Sequence, residues 1–181
     1  MCLSVLQLFD DEVLNIYNTV KAKYEAMGPD KYKRFIHIEG VCQMASYLAN
    51  EYHVNLKDAQ IAALLHDYYK YETPEEMSKV LSKEEIEECT LCPVLFHSYS
   101  SSKVLKKLFN IESKEIETAI KYHVFGHPKM SMLDKIILIS DYTEINRTYK
   151  DCQEVRKILL GGHLDLSLIH ISEPTRHSLI S

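Results

Sequence analysis

A chain of 181 residues with 46% hydrophobic and 26% charged side chains has the size and make-up of one globular domain, able to bury about two thirds of its unfolded surface. Its net charge of −5 speaks against a general nucleic-acid binder, which carries a basic face, but not against a nucleotide substrate, because a metal ion can supply local positive charge. No apolar run approaches the ~18 residues of a membrane span, the N-terminus lacks the basic flank of a signal peptide, and five cysteines without a disulfide framework suit a reducing cytoplasm.

Taken in chain order, the predicted elements are helices. Leu14, Tyr17, Val20 and Tyr24 recur at helical spacing after Asp10-Asp11, and Gly28-Pro29 closes that segment. A second helix carries Phe35, Val41, Met44, Ala45 and Leu48 on one side. Asn55 caps a third, predicted from Leu56 to Tyr69. Thr73-Pro74-Glu75-Glu76 combines a cap, a first-turn proline and a reciprocal glutamate, and Ser82-Lys83-Glu84-Glu85 repeats the capping-box pattern. Pro93 opens the segment that bears His97, and Ser113 opens the one that ends at His123. After the loop Gly126-His127-Pro128, Ser131 caps a helix running to Asp141. Asp151 with Glu154 caps a last helix that stops at Gly161-Gly162. Nothing alternates with period two over a useful length, so the expected fold is all-α, one helical bundle without repeats.

Chemistry concentrates on His66-Asp67, which follows the apolar run Ile61-Ala62-Ala63-Leu64-Leu65. A buried carboxylate without a partner costs several kcal/mol or takes up a proton, whereas a metal ion compensates both residues at once. Further ligand candidates lie at His37, His97, His123 and Asp141. Asp141 follows Ile136-Ile137-Leu138-Ile139, and a carboxylate closing so apolar a helix needs a partner. His37, His66, Asp67 and Asp141 make a mixed nitrogen and oxygen site suited to iron, manganese or zinc. His97 and His123, with Asp67 bridging, can hold a second ion, and such a pair orients and deprotonates a water and neutralises phosphate oxygens. Each residue also has an ordinary alternative: a lone histidine on a partly apolar helix is more often a core or surface residue.

The words around these residues are more specific. Arg34-Phe35-Ile36-His37, Ala63-Leu64-Leu65-His66-Asp67-Tyr68-Tyr69-Lys70, Ala119-Ile120-Lys121-Tyr122-His123, Met130-Ser131-Met132-Leu133-Asp134-Lys135-Ile136-Ile137 and Ser140-Asp141-Tyr142-Thr143-Glu144-Ile145-Asn146-Arg147 resemble the bacterial YqeK family of the HD superfamily, from about Lys31 to Leu160. The resemblance implies a single HD-domain helical bundle that hydrolyses diadenosine tetraphosphate symmetrically to two ADP, with a divalent metal, iron first and manganese, cobalt or zinc as alternatives. It makes His37, His66, Asp67 and Asp141 the metal ligands and Asp67 and Lys70 the catalytic pair. Arg34, Lys70, His97, His123 and Arg147 are assigned to substrate, with His97 and His123 also available to a second ion. Partners are then a dinucleoside polyphosphate or nucleotide, with no nucleic acid and no membrane, and with room for a homodimer. Alternatives are another HD-type nucleotide phosphohydrolase or nucleotidase, or a catalytically weak sensor of metal and nucleotide.

The sequence departs from the family in places. Ser98 replaces a glycine, and Val124-Phe125-Gly126 replaces Thr-Thr-Gly after His123, removing two hydroxyls from the pocket. Residues 1–30 are read as an N-terminal helical extension, 31–165 as the HD domain, and 166–181 as a non-native tail. Leu166-Ser167-Leu168-Ile169-His170-Ile171-Ser172-Glu173-Pro174-Thr175-Arg176 resembles translated sequencing-adapter DNA, so His170 and His177 receive no role. Cys89-Thr90-Leu91-Cys92 lacks a second CxxC and is read as structural. Among twelve tyrosines, Tyr68, Tyr69, Tyr122 and Tyr142 lie near the ligands in sequence and can stack a base or wall the pocket.

Overall fold

The computed structural model describes residues 9–172, and among them eleven helices follow one another with no strand. They are α1 (Asp11–Ala26), α2 (Pro29–Glu51), α3 (Leu56–Leu65), α4 (Pro74–Ser78), α5 (Lys83–Leu91), α6 (Leu95–Ser102), α7 (Val104–Phe109), α8 (Lys114–Lys121), α9 (Met132–Thr143), α10 (Lys150–Leu160) and α11 (Leu164–Ser172). Most begin where the sequence offers an oxygen to free N–H groups of the first turn. Asp10 accepts from Val13 N at 2.9 Å, Asn55 from Asp58 N at 3.2 Å and Ser113 from Ile116 N at 3.3 Å. Ser82 with Glu85, and Ser131 with Asp134, close reciprocal capping boxes. Thr73 caps α4 as expected, while Glu76 pairs with Lys79. Asp151 does not cap α10: that position belongs to Tyr149, and Asp151 lies in the first turn, where its charge meets the positive end of the helix dipole.

Two further expectations need correction. Leu14 is 37% exposed, and the buried stripe of α1 is Val13, Ile16, Tyr17, Val20 and Tyr24. The third helix stops at Leu65 instead of reaching Tyr69. His66 Nδ1 donates to the Ala63 carbonyl at 2.7 Å, the acceptor that a continuing helix would offer to the Asp67 N–H. The chain goes on in tight turns, with Tyr68 N bonded to Leu65 O and Lys70 N to Asp67 O. The His-Asp pair therefore sits past a helix end.

α3 lies at the centre, against α1, α2, α8 and α9. Every residue from Ala59 to Leu65 is buried, which marks a helix enclosed on all sides. Ala59, Ala62 and Ala63 let its neighbours approach, and Ile38, Leu48, Ile61, Leu64, Ile120, Ile136 and Ile137 fill the space between. Each such side chain contributes about 1.5–3 kcal/mol on burial. α1 shares this core, so residues 9–30 pack as part of the same body, and Tyr24 OH donates to the Asp67 carbonyl at 2.8 Å. A smaller cluster of Met77, Cys89, Phe96 and Tyr99 joins α4, α5 and α6, and within it burial pushes the Cys89 thiol up to about 11. α10 and α11 pack on each other and on α9. Ser167 and Leu168 are buried and Ile171 packs on the core, so α11 crosses the boundary expected at residue 165; His170 is exposed, and residues 173–181, with His177, lie outside the described residues. Among the described residues no helix is long and apolar enough to cross a membrane.

Glu85 ties α5 to the helices that carry the site, with Lys103 at 3.1 Å and Lys121 at 2.7 Å. Burial would raise its pKa, but Lys121, the Ser82 N–H and Lys103 outweigh burial and hold it at about 2. A depressed carboxylate stabilises the fold above its unfolded pKa and loses that contribution as the pH falls toward the folded value. Glu85→Gln is expected to cost about 1 kcal/mol at pH 7, after allowing for solvent screening of the pairs, and progressively less between pH 4.5 and pH 2. Urea unfolding of both proteins across that range measures the difference.

Candidate metal centre

Five helices deliver their polar residues to one buried point. His37 comes from the middle of α2, His66 and Asp67 from the end of α3, His97 from α6, His123 from the turn after α8, and Asp141 from α9. His66 is fully buried, Asp67 is 1% and His123 3% exposed, whereas the Asp141 side chain, at 22%, is the most open of the set. His37 Nε2 lies 3.0 Å from Asp141 Oδ1 and 3.9 Å from Asp67 Oδ2, and His66 Nε2 lies 3.3 Å from that same Asp67 oxygen. The other Asp67 oxygen, Oδ1, is 3.2 Å from His97 Nε2 and 3.8 Å from His123 Nε2. Two triads result, His37 with His66 and Asp67, and Asp67 with His97 and His123, each with its ligand atoms within 4.8 Å of one another. Asp67 belongs to both.

The donor atoms are prepared for a cation. His66 Nδ1 and His123 Nδ1 donate to the Ala63 and Ile120 carbonyls, each three residues back, and His37 Nδ1 donates to Glu144 Oε1 at 3.2 Å. A ring nitrogen that donates outward leaves the Nε2 lone pair facing the centre. His66 Nε2 is buried with no hydrogen-bond partner, and His37 Nε2 has only the Asp141 carboxylate beside it, an arrangement that a cation satisfies at lower cost. Two imidazoles with carboxylates fit a divalent ion of the iron, manganese or zinc type.

Protonation differs across the set, with the two aspartates charged and the histidines divided. Burial works against the charge of Asp67, yet His66, then His97 and Arg34, hold its carboxyl well below the usual range. Asp141 is held low in the same way, chiefly by the His37 hydrogen bond against its burial. Burial, aided by His66, pushes His123 down to about 3, so it is neutral at pH 7. For His37, burial lowers the pKa but the hydrogen bonds to Asp141 and Glu144 win and raise it.

The remaining residues singled out from sequence line the rim. Arg34 Nη1 lies 3.0 Å from Asp67 Oδ2, and Arg147 Nη2 lies 2.7 Å from Asp141 Oδ1. Lys70 Nζ is 3.1 Å from His97 Nε2 and 3.6 Å from Asp67 Oδ1, against the same two atoms that a second ion would use. His127 turns away to Asp134 Oδ2 at 3.1 Å, and His53 is exposed. The cavity beside the centre, of about 420 Å³, is lined by Tyr71 and Tyr149 rather than by Tyr68, Tyr69, Tyr122 or Tyr142.

Sequence reasoning passed over Glu144. It is 1% exposed, bonds His37 from behind, and accepts the Asn146 N–H on its other oxygen at 2.6 Å. Burial raises its pKa, but the His37 bond and the Asn146 N–H prevail and keep it low, hence charged. Gly40 makes room for it: a Cβ at that position would lie 2.2 Å from Glu144 Oε2. A signal was available in the spacing, because Glu144 follows Asp141 by three residues, about one helical turn.

A buried histidine–aspartate centre in an all-α bundle defines an HD-type metal-dependent hydrolase fold, and the HD domain family matches residues 34–146. The chain belongs to that family. The symmetrical bis(5'-nucleosyl)-tetraphosphatase of Bacillus subtilis is 35% identical over 127 residues, which cover 69% of this chain and 68% of the relative. The Staphylococcus aureus protein of the same name is 29% identical over 161 residues, covering 87% and 83%. A crystal structure of a predicted HD superfamily hydrolase involved in NAD metabolism, from Clostridium acetobutylicum, superposes with a TM-score of 0.71 at 31% identity, over 84% of this chain and 80% of that one. Within the HD family these relatives make the chain a YqeK-type protein.

Because Glu144 orients the candidate ligand His37 through its outer nitrogen, Glu144→Ala is expected to weaken metal binding about 10–100-fold, as loss of such partners does elsewhere. Chelator competition followed by metal analysis measures it. A proton drawn onto His37 by its raised pKa must leave before a metal binds, so affinity is expected to fall as the pH is lowered from 8 to 6.

Proposed function

We propose that the protein is a metal-dependent hydrolase that cleaves diadenosine tetraphosphate symmetrically into two ADP. The observation that carries the reading is the pair of triads sharing Asp67, ringed by Arg34, Lys70 and Arg147. It agrees with the activity named for the Bacillus and Staphylococcus relatives. His37, His66, Asp67 and Asp141 hold the primary ion, and iron, with manganese, cobalt or zinc as substitutes, matches that donor set. When bound, such an ion supplies a Lewis acid that lowers the pKa of water and neutralises phosphate oxygens.

The chain's own residues do the rest. Arg147 and Arg34 present guanidinium groups at the open, Asp141 side of the centre, where a polyphosphate can receive forked hydrogen bonds. Lys70 stands by Asp67 and His97, placed to neutralise charge on the departing phosphate. A water oxygen bonds to one of the two interior phosphorus atoms, the central bridging P–O bond breaks, and the proton released by the water passes to solvent. Two ADP result. Lys70, with His97 and His123, serves the substrate phosphates, and the latter two are also the ligands for a second ion. The setting we propose is the cytoplasm, with a dinucleoside polyphosphate or nucleotide as the small-molecule partner, room for a homodimer, no membrane, and no nucleic acid for a protein of net charge −5.

Product analysis tests the reaction. Diadenosine tetraphosphate with manganese or iron is expected to yield ADP alone, and Asp67→Ala to lose far more activity than the roughly 100-fold that an outer-shell partner costs. Release of ATP and AMP, or of no nucleotide in any divalent metal, overturns the reading.

A further inference from the structure

We infer that Tyr149 forms the subsite for one nucleobase of the substrate, with Tyr71 on the wall of the same cavity. The inference rests on the nucleotide-hydrolase reading above and adds to it the part of the site that recognises the nucleoside. The cavity of about 420 Å³ is lined by His37, Arg34 and Arg147, which belong to the centre, and by Lys33, Tyr71 and Tyr149. Its volume lies toward the small end of the roughly 300–1,000 Å³ typical of small-ligand sites, room for one nucleoside diphosphate half of a symmetrical dinucleotide. Phosphate-binding cations at the ligand end leave the base to be covered at the other.

Tyr149 suits that task. It is 73% exposed, and its side chain makes no hydrogen bond, ion pair or ring contact among the described residues. A single exposed aromatic is ordinary on a protein surface. This one, however, lines a cavity that also contains a metal-ligand histidine, and it stands two residues after Arg147, which reaches Asp141. The segment that carries both is pinned. Arg156 donates to the carbonyls of Thr143 at 2.5 Å, of Arg147 at 2.8 Å, and of Glu144. Asn146 N donates to Glu144, and Asn146 Nδ2 donates to the Ile36 carbonyl. An aromatic plane on a fixed support loses little entropy when a base stacks on it. Tyr71 is 39% exposed and carries the Lys31 ammonium 3.8 Å from its ring centroid, so it acts as a wall while Tyr149 offers the free face.

The test is calorimetric titration of ADP and, separately, of inorganic pyrophosphate into the manganese-loaded protein, comparing wild type with Tyr149→Ala and Tyr149→Phe. Stacking predicts that Tyr149→Ala weakens ADP about tenfold or more, leaves pyrophosphate within twofold, and that Tyr149→Phe retains ADP affinity. Equal ADP affinity in wild type and Tyr149→Ala overturns the subsite, as does a parallel loss of ADP and pyrophosphate, which would mean that the substitution disturbed the Arg147 segment. Failure of the underlying function is read independently, from wild-type protein that releases no ADP from diadenosine tetraphosphate.

Discussion

Everything at the centre depends on how the Asp67 carboxylate is kept charged while almost wholly buried. An isolated carboxylate in such a place costs several kcal/mol, enough to consume much of a domain's stability. Arg34, His66 and His97 surround it, and its backbone carbonyl is secured by the Tyr24 hydroxyl. The same local event produces the geometry. By taking the Ala63 carbonyl, His66 ends α3, fixes its own tautomer and turns Nε2 inward, which places Asp67 in a tight turn with its two oxygens facing two different sets of histidines. Helix termination, ring orientation and a bridging carboxylate are one structural decision.

That decision requires neighbours at short range. A Cβ at Gly40 of α2 would meet the Glu144 carboxylate and displace it, and Glu144 in its present place sets the orientation of His37. Arg156 reaches across from α10 to the carbonyl of Thr143, which ends α9, and to those of Glu144 and Arg147 beyond it. The pinned segment holds Glu144 behind the centre, Arg147 at its edge and Tyr149 at the mouth of the cavity. Polar residues distant in sequence thus act together because one arginine bonds the last carbonyl of α9 and two carbonyls of the turn that follows it.

Much of this was legible beforehand, and the reasons are local. Caps at Asp10, Asn55, Ser82, Ser113 and Ser131 act within three residues, so the sequence alone locates those helix starts. His66-Asp67 and Asp141 stand out in the sequence because charged residue types beside apolar runs are costly without a partner, and the fold brings His37, His97 and His123 to them. The misplacements share another cause. α3 ends earlier than its sequence pattern implies because the His66 side chain displaces a backbone donor, and Leu14 is exposed because helical spacing does not say which of two adjacent faces meets the core. Tyr71 and Tyr149 carry no signature of their own, and the one signal at Glu144, its spacing from Asp141, is weak because a glutamate near a helix end is usually a surface residue.

The sequence by itself determined the class: an all-α chain with a histidine–aspartate set suited to a divalent ion, since composition, periodicity and ligand chemistry are properties of residues and their near neighbours. The tertiary structure decided the arrangement. It divided the ligands into two triads around the two oxygens of Asp67, set Lys70 against His97, put Glu144 behind His37, and gave the cavity wall to Tyr71 and Tyr149 instead of the tyrosines beside the ligands in sequence. These are contacts between elements up to about a hundred residues apart, decided by side-chain volume and close packing across helices, and spacing along one helix does not encode them.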